Sequence, residues 1–431
     1  NSFYLYMRQM KPCFSNDYSD YILCNNFQSL NSLNADLKEN GESHTHIFYI
    51  IPNDPIILNS DLRMNAITFN YSQLILSEFL GIDLFQNPFA ALETMYEKII
   101  ITEMPVQFYK NGSLLNESDC IIENFDKSTS VSPFIYFKSV SFESIQTTNK
   151  ICPFSFFNLT RTNSFESRKQ NDAQSRLMFI DVESKETRPT YDELIFIDSE
   201  IIIDPILINR YMFSNTKSIQ FDSIKFIKID TEVFLSLSKL NKLSFYHMDF
   251  TKLMLNGQLL KLLSSINRNA THLTTIPADK YFNVIFFQDI ISISDEHLCT
   301  YRLFPFDRAI KLTIFLTDTQ SKMDCSCSIV WLSVSSLLTK SIDNNSLNSI
   351  NHGCRLFSLE YIQAYNSCSF ESKFRACSAS KHRLSPREKI LLNVFKNSIE
   401  GEKSSSKKLN INVVISLITF FFYLIYSALL K

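Results

Sequence analysis

The sequence predicts an α/β chain built as an irregular stacked-repeat solenoid, with disulfide-closed ends and a hydrophobic C-terminal helix. Three observations carry that expectation. Leu194-x-Phe196-x-x-Ser199-x-Ile201, Ile219-x-Phe221-x-x-Ile224-x-Phe226 and Leu243-x-Phe245-x-x-Met248-x-Phe250 repeat one apolar pattern at intervals of 25 and 24 residues, within the range of strand-plus-turn repeats. Six of the ten cysteines fall between Cys299 and Cys377, around Trp331, the only tryptophan. The run Leu409 to Leu430 carries no charge.

The elements follow in chain order. Within residues 1–46, Cys13 and Cys24 bracket Phe14 to Leu23 and close the N-terminal end. Residues 47–298 hold the repeats, with looser matches beginning at Ile67, Ile99, Ile135, Val284 and Leu312. In a chain that is 45% hydrophobic, a four-position apolar pattern arises by chance at about 4% of positions. The regular spacing of the middle three therefore carries the weight. Ile100 to Phe108 and Ser132 to Phe142 alternate apolar residues and read as strands. Only six glycines occur, so the abundant asparagines are expected at the left-handed turn positions.

Residues 299–380 form a cysteine-rich segment holding Asp324-Cys325-Ser326-Cys327-Ser328-Ile329-Val330-Trp331-Leu332, then Cys354, Cys368 and Cys377. The two cysteines, one residue apart, are expected to reach different partners. The last repeat of a stack exposes its apolar face, and a small stapled element with Trp331 in its core would cover it. This stretch resembles the C-terminal flanking cap of extracellular leucine-rich-repeat proteins, where Cys-x-Cys is followed by Trp-Leu and further cysteines. The resemblance makes residues 47–298 an irregular leucine-rich-repeat solenoid and 1–46 its N-terminal cap. The repeat's asparagine position holds Ser199, Ile224 and Met248 instead, so the asparagine ladder is missing. Local pairing is expected for Cys13 with Cys24 and Cys120 with Cys152. Within the C-terminal cap, Cys325 and Cys327 are expected to bridge separately to Cys354 and Cys377, and Cys368 to Cys299.

Residues 381–408 are basic and serine-bearing and serve as a stalk, either a tether or an amphipathic helix around Pro386 to Phe395. As a helix, 409–430 would span roughly 33 Å, enough to cross a bilayer. A body outside the cell would place Lys403, Lys407 and Lys408 against the positive-inside bias, and a body in the cytosol would put the cysteines in a reducing compartment. A removable glycolipid-attachment signal accords best: Ser404-Ser405-Ser406, a polar spacer, then an apolar tail, with attachment near Ser404. Glycosylation sequons stand at Asn70, Asn111, Asn116, Asn158, Asn269 and Asn344.

Several chemistries are absent from the sequence. No Gly-x-Gly occurs, which removes the dinucleotide, Walker and kinase glycine loops and the hydrolase nucleophile elbow. No Cys-x-x-Cys suggests zinc. Forty-two basic against 44 acidic residues give a net charge of −2, with no basic cluster interleaved with aromatics, so nucleic acid is not an expected partner. His44-x-His46 sits in a polar loop, and His247 and His272 align with no serine and acid. Asp192-Glu193 and Asp295-Glu296, as neighbours on strands, would face opposite ways toward solvent.

No cofactor, metal or catalytic residue is expected. The resemblance implies a cell-surface binding, adhesion or receptor-type ectodomain, held at the plasma membrane, that recognises a protein or glycan on its strand surface. Signalling would pass through a co-receptor. The contrasting readings are an anchored extracellular hydrolase with a dispersed site and an inert structural surface protein.

Overall fold

A computed structural model describes residues 13–15, 21–25, 27–33, 47–54, 56–59, 61, 73–83, 89, 96–103, 108–110, 113–114, 120, 132, 134–144, 150–156, 159, 162–169, 176–180, 182, 189–230, 232–264, 266, 282–288, 293–305, 310–316, 325–337 and 359–377. The fold is mixed α/β, with parallel sheet and several disulfides. The chain divides into two units, residues 1–240 and 241–431.

In the first unit the main ladder runs β1 (Cys13–Ser15), β2 (Tyr21–Cys24), β3 (Ile47–Ile50), β4 (Gln73–Ser77), β5 (Tyr96–Thr102), β6 (Phe137–Glu143), β7 (Ser164–Arg168), β8 (Glu193–Ile197) and β9 (Ser218–Asp222). β1 pairs antiparallel with β2, with Cys13 opposite Cys24, and the disulfide joins these two residues. From β2 onward every pair is parallel and in register, and each strand lies beside its neighbours in sequence. Successive ladder strands therefore add side by side, with the intervening chain returning outside the ladder. Shorter parallel pairs form on those return segments, such as Glu200–Ile203 with Lys225–Ile229 and Lys150–Ile151 with Met178–Phe179, and α1 (Arg210–Phe213) lies on the return between β8 and β9.

Period-two patterning sets which face is buried. Leu194 and Phe196, and Ile219 and Phe221, are at most 1% exposed, as the repeat pattern requires, and Ile224, Phe226, Ser199 and Ile201 are buried beside them. Phe142, Phe165, Phe179, Tyr191 and Phe213 meet edge to face or tilted at centroid separations of 5.3 to 6.1 Å. Bulky rings fill the space between ladder and return segments, and each buried ring contributes about 1.5–3 kcal/mol by leaving water.

Two strand expectations shift. The apolar alternation from Ile100 to Phe108 does not run as one strand: β5 ends at Thr102, Glu103 turns the chain, and Phe108–Lys110 is a separate strand. The run from Ser132 starts as a turn, and β6 begins only at Phe137. The ladder sets Val140 opposite Ile99 and Phe142 opposite Ile101, so the repeat match at Ile135 lies five residues out of register. Apolar alternation marks a buried face but not where the chain bends.

The bends share one geometry. Glu78, Glu103, Ser144, Lys169, Asp198 and Ser223 have φ of 61°, 52°, 47°, 53°, 47° and 55°, and each sits one residue past the last paired position of its strand. Backbone N–H groups there keep donating across the ladder: Ser144 to the Arg168 carbonyl at 3.1 Å, Lys169 to Ile197 at 2.9 Å, and Asp198 to Asp222 at 2.9 Å. Asparagine does not fill these positions, contrary to expectation. The left-handed backbone costs an L-residue roughly 1–2 kcal/mol, and the continuing hydrogen-bond row holds it in place.

The second unit has β10 (Lys242–Tyr246), β11 (Phe282–Gln288) and β12 (Ile310–Leu316), parallel and in register. Leu243, Phe245, Val284 and Phe286 are fully buried, so the repeat matches at Leu243 and Val284 fall on true ladder positions. His247, with φ 50°, repeats the bend and donates to the Phe287 carbonyl at 3.0 Å. After it, α2 (Phe250–Leu255) starts at Asp249, whose carboxylate accepts from the Lys252 N–H as a helix cap. Gly257 (φ 67°) allows the turn into α3 (Gln258–Ser264).

Apart from β12, the elements described in the cysteine-rich segment are helices: α4 (Leu298–Tyr301), α5 (Cys327–Leu337), α6 (Leu359–Ser367) and α7 (Phe370–Ala376). Cys327 opens a helix instead of lying in an extended segment, and residues two apart on a strand would share a face, so the spacing of Cys325 and Cys327 does not send them to separate partners. The pairing is corrected accordingly. Cys299 joins Cys377 and Cys327 joins Cys368, where Cys299 with Cys368 was expected. Cys325 is also disulfide-bonded, and Cys354 lies outside the described residues. Cys120 joins Cys152, the local pair expected. Trp331 is 3% exposed and packs on Phe374 at 4.8 Å and Phe370 at 5.9 Å.

Asp295 and Glu296 also differ from expectation, because they begin a short 3-10 turn (Asp295–His297) and not a strand. The Asp295 carboxylate accepts from the Ser328 N–H at 2.9 Å and pairs with Lys373 at 3.3 Å. It thereby ties α5 and α7 to the turn before α4. The sequons at Asn70, Asn111, Asn116, Asn158, Asn269 and Asn344, together with Ser404, the 386–395 helix and the 409–430 run, lie outside the described residues. Among the described residues, no helix is long and apolar enough to cross a membrane.

Candidate functional site

The outward face of the ladder is where ligand chemistry can be presented, since the inward rows are filled by core. On a parallel sheet, residues of equal register stand about 4.8 Å apart in rows across the strands. Each strand puts three rows outward, and the two units fill them with different chemistry.

In the first unit the outward rows neutralise themselves. Lys98 on β5 pairs with Glu166 on β7, and Arg168 lies 3.6 Å from Glu143. Hydroxyls also bind carboxylates there, as Ser139 donates to Glu166 and Ser218 to Glu193. Cross-strand pairs of opposite charge stabilise a sheet and leave little unmet charge for a ligand.

The outward rows of β10–β12 are built otherwise. One row is Lys242, Asn283 and Lys311, the next Ser244, Ile285 and Thr313, and the last Tyr246, Phe287 and Phe315. No acid stands among these nine positions. Among the described residues neither Lys242 nor Lys311 has an ion-pair partner. The aromatic row is a ladder, with Tyr246 and Phe287 stacked at 4.4 Å and 12°, and Phe287 and Phe315 at 4.9 Å and 11°. Both faces of the Phe287 ring are therefore covered by its neighbours. All three rings remain half-buried, as do Ile285, Lys242 and Lys311, while Ser244 and Thr313 are buried.

Residue patterning missed this patch, although a signal was present. Phe245-Tyr246, Phe286-Phe287 and Ile314-Phe315 put an aromatic directly after the second inward residue in three segments. Writing the outward positions beneath one another would have aligned them. His247, weighed earlier as a catalytic candidate, sits at the bend after β10 with its backbone in the ladder row. His44, His46 and His272 lie outside the described residues. Asp192 pairs with Lys217 at 2.8 Å on an exposed edge. Among the described residues, no group of three or more histidine, cysteine or carboxylate side chains could hold a metal. Comparison with family models, with curated proteins and with solved structures finds no match.

Proposed function

We propose that the chain is a cell-surface binding protein, an irregular leucine-rich-repeat solenoid that recognises a protein or glycan through the outward face of its sheet. The observation that carries this reading is the face of β10–β12, where an aromatic row stands in register beside two lysines that have no carboxylate partner among the described residues. Contiguous apolar surface rimmed by polar residues marks interaction sites in proteins. The solenoid reading is supported by the sequence-ordered parallel ladder and by the recurring left-handed bend. Four disulfides between described cysteines support an oxidising compartment. The cap reading of the C-terminal helices rests on the Cys-x-Cys and Trp-Leu resemblance, with buried Trp331 as their core.

The test uses the full chain from a secretory host, probed against panels of extracellular proteins and of glycans. Specific binding should appear, and Ile285→Ser with Phe287→Ser should weaken it at least tenfold, whereas Leu235→Ser, at a 52% exposed site elsewhere, should not. Binding indifferent to the sheet-face pair, or none to either panel, would refute the proposal. Attachment through a glycolipid near Ser404 has its own check. Phosphatidylinositol-specific phospholipase should release the protein from intact cells, and recovery of the 409–430 peptide in the mature chain would instead mark a permanent span.

A further inference from the structure

We infer that the patch on β10–β12 takes a protein segment in extended conformation that carries a carboxylate about four residues from a cluster of apolar side chains. The inference rests on the binding reading above and narrows its ligand. Three features of the patch select that chemistry.

The first is charge. Lys242 and Lys311 stand in one row, two strands apart, so their backbones are about 10 Å from each other, with Asn283 between them. In the first unit, outward cations are matched by carboxylates of the chain itself. Here the nine outward positions hold two cations and no acid, and a carboxylate reaching between the lysines would complete the pattern that the other face completes internally.

The second is ring geometry. Sugars stack on aromatic side chains through free ring faces, but the faces within this ladder are spent on each other at 4.4 and 4.9 Å. What the stack leaves is the ring edges, one outer face each of Tyr246 and Phe315, and Ile285, an apolar strip suited to aliphatic or aromatic side chains. Hydroxyl-directed groups are also scarce, since Ser244 and Thr313 are buried.

The third is spacing. From the lysine row to the aromatic row is four residues along each strand, about 13 Å. An extended peptide laid along the strands covers that distance in about four residues, so acid and apolar groups meet both rows at once.

The experiment is selection of a phage-displayed random dodecapeptide library on the full chain, followed by titration of the synthesised consensus peptide. Enriched peptides should carry Asp or Glu about four residues from Leu, Ile, Phe or Trp. Lys242→Gln with Lys311→Gln should weaken the consensus peptide at least tenfold, and Phe287→Ser likewise. Rising salt should weaken wild-type binding. Lys242→Glu with Lys311→Glu should turn the selection toward Lys- and Arg-bearing peptides, a gain that misfolding cannot mimic. An enriched set without acidic bias, indifference to the lysine changes, or no enrichment overturns the inference. A glycan bound at this face, lost in Phe287→Ser while no peptide is enriched, also overturns it but leaves the binding proposal standing. Failure of both peptides and glycan and protein panels removes the two together.

Discussion

Single residues in this protein are set by backbone demands that side-chain hydrophobicity does not report. Lys169 is an exposed residue with φ 53° whose N–H bonds the Ile197 carbonyl at 2.9 Å. Relief of left-handed strain outweighs glycine's added freedom in the unfolded chain. Lys169→Gly should therefore raise stability by about 1 kcal/mol, and Lys169→Val should lower it by about 1–2 kcal/mol. Urea midpoints of the two variants check this, and a destabilising glycine would refute the strain argument. Trp331 is the opposite case, a side chain held by packing. Its removal as Trp331→Ala should cost about 3–5 kcal/mol, with wild-type fluorescence emitting from an apolar environment. Emission typical of a solvated indole would contradict its burial against Phe370 and Phe374.

At the level of elements, the strands of the ladder support one another through register, while the C-terminal helices depend on staples. α6 and α7 are nine and seven residues long, too short to persist alone in water. Cys327–Cys368 closes a span of 41 residues that runs from the start of α5 to the junction between α6 and α7. Loss of a crosslink of that length frees chain entropy worth about 4 kcal/mol. Cys327→Ser with Cys368→Ser should accordingly unfold α6 and α7 before β10–β12. Amide exchange would show it, protection being lost at Tyr361 and Phe374 while Phe245 and Phe286 keep theirs; uniform loss would contradict a locally stapled element.

For the molecule as a whole, buried tyrosines set the alkaline limit. Burial pushes Tyr191 well above the ordinary phenol range, and burial together with the neighbouring Tyr365 does the same for Tyr361. The native state keeps both neutral, whereas the unfolded chain ionises them near pH 10. Unfolding then releases protons, so the stability these groups contribute is intact below pH 10 and falls as pH rises beyond it. The slope is up to about 1.4 kcal/mol per pH unit per tyrosine. Tyrosinate absorbance for these two should appear only with loss of circular dichroism. Tyr191 adds a handle, because among the described residues its buried hydroxyl has no hydrogen-bond partner. Tyr191→Phe should stabilise the fold by about 1 kcal/mol and move the alkaline midpoint upward; a loss of stability would show that the hydroxyl is satisfied.

The inward rows were legible before any coordinates, because burial selects residue type locally: Leu194, Phe196, Ile219, Phe221, Leu243 and Phe245 are all core, at a spacing that announces repetition. The local disulfides Cys13–Cys24 and Cys120–Cys152 were legible for the same reason, their partners being near in sequence. The longer bridges were not, since nothing in Cys325-Ser326-Cys327 reveals that a helix begins at its third residue. The binding candidate was hidden for a different cause. Tyr246, Phe287 and Phe315 lie 41 and 28 residues apart, and only the register of three parallel strands turns them into one stacked row beside two lysines. A residue's own chemistry decides whether it is buried, but which residues become neighbours on a sheet is decided by pairing across the strands.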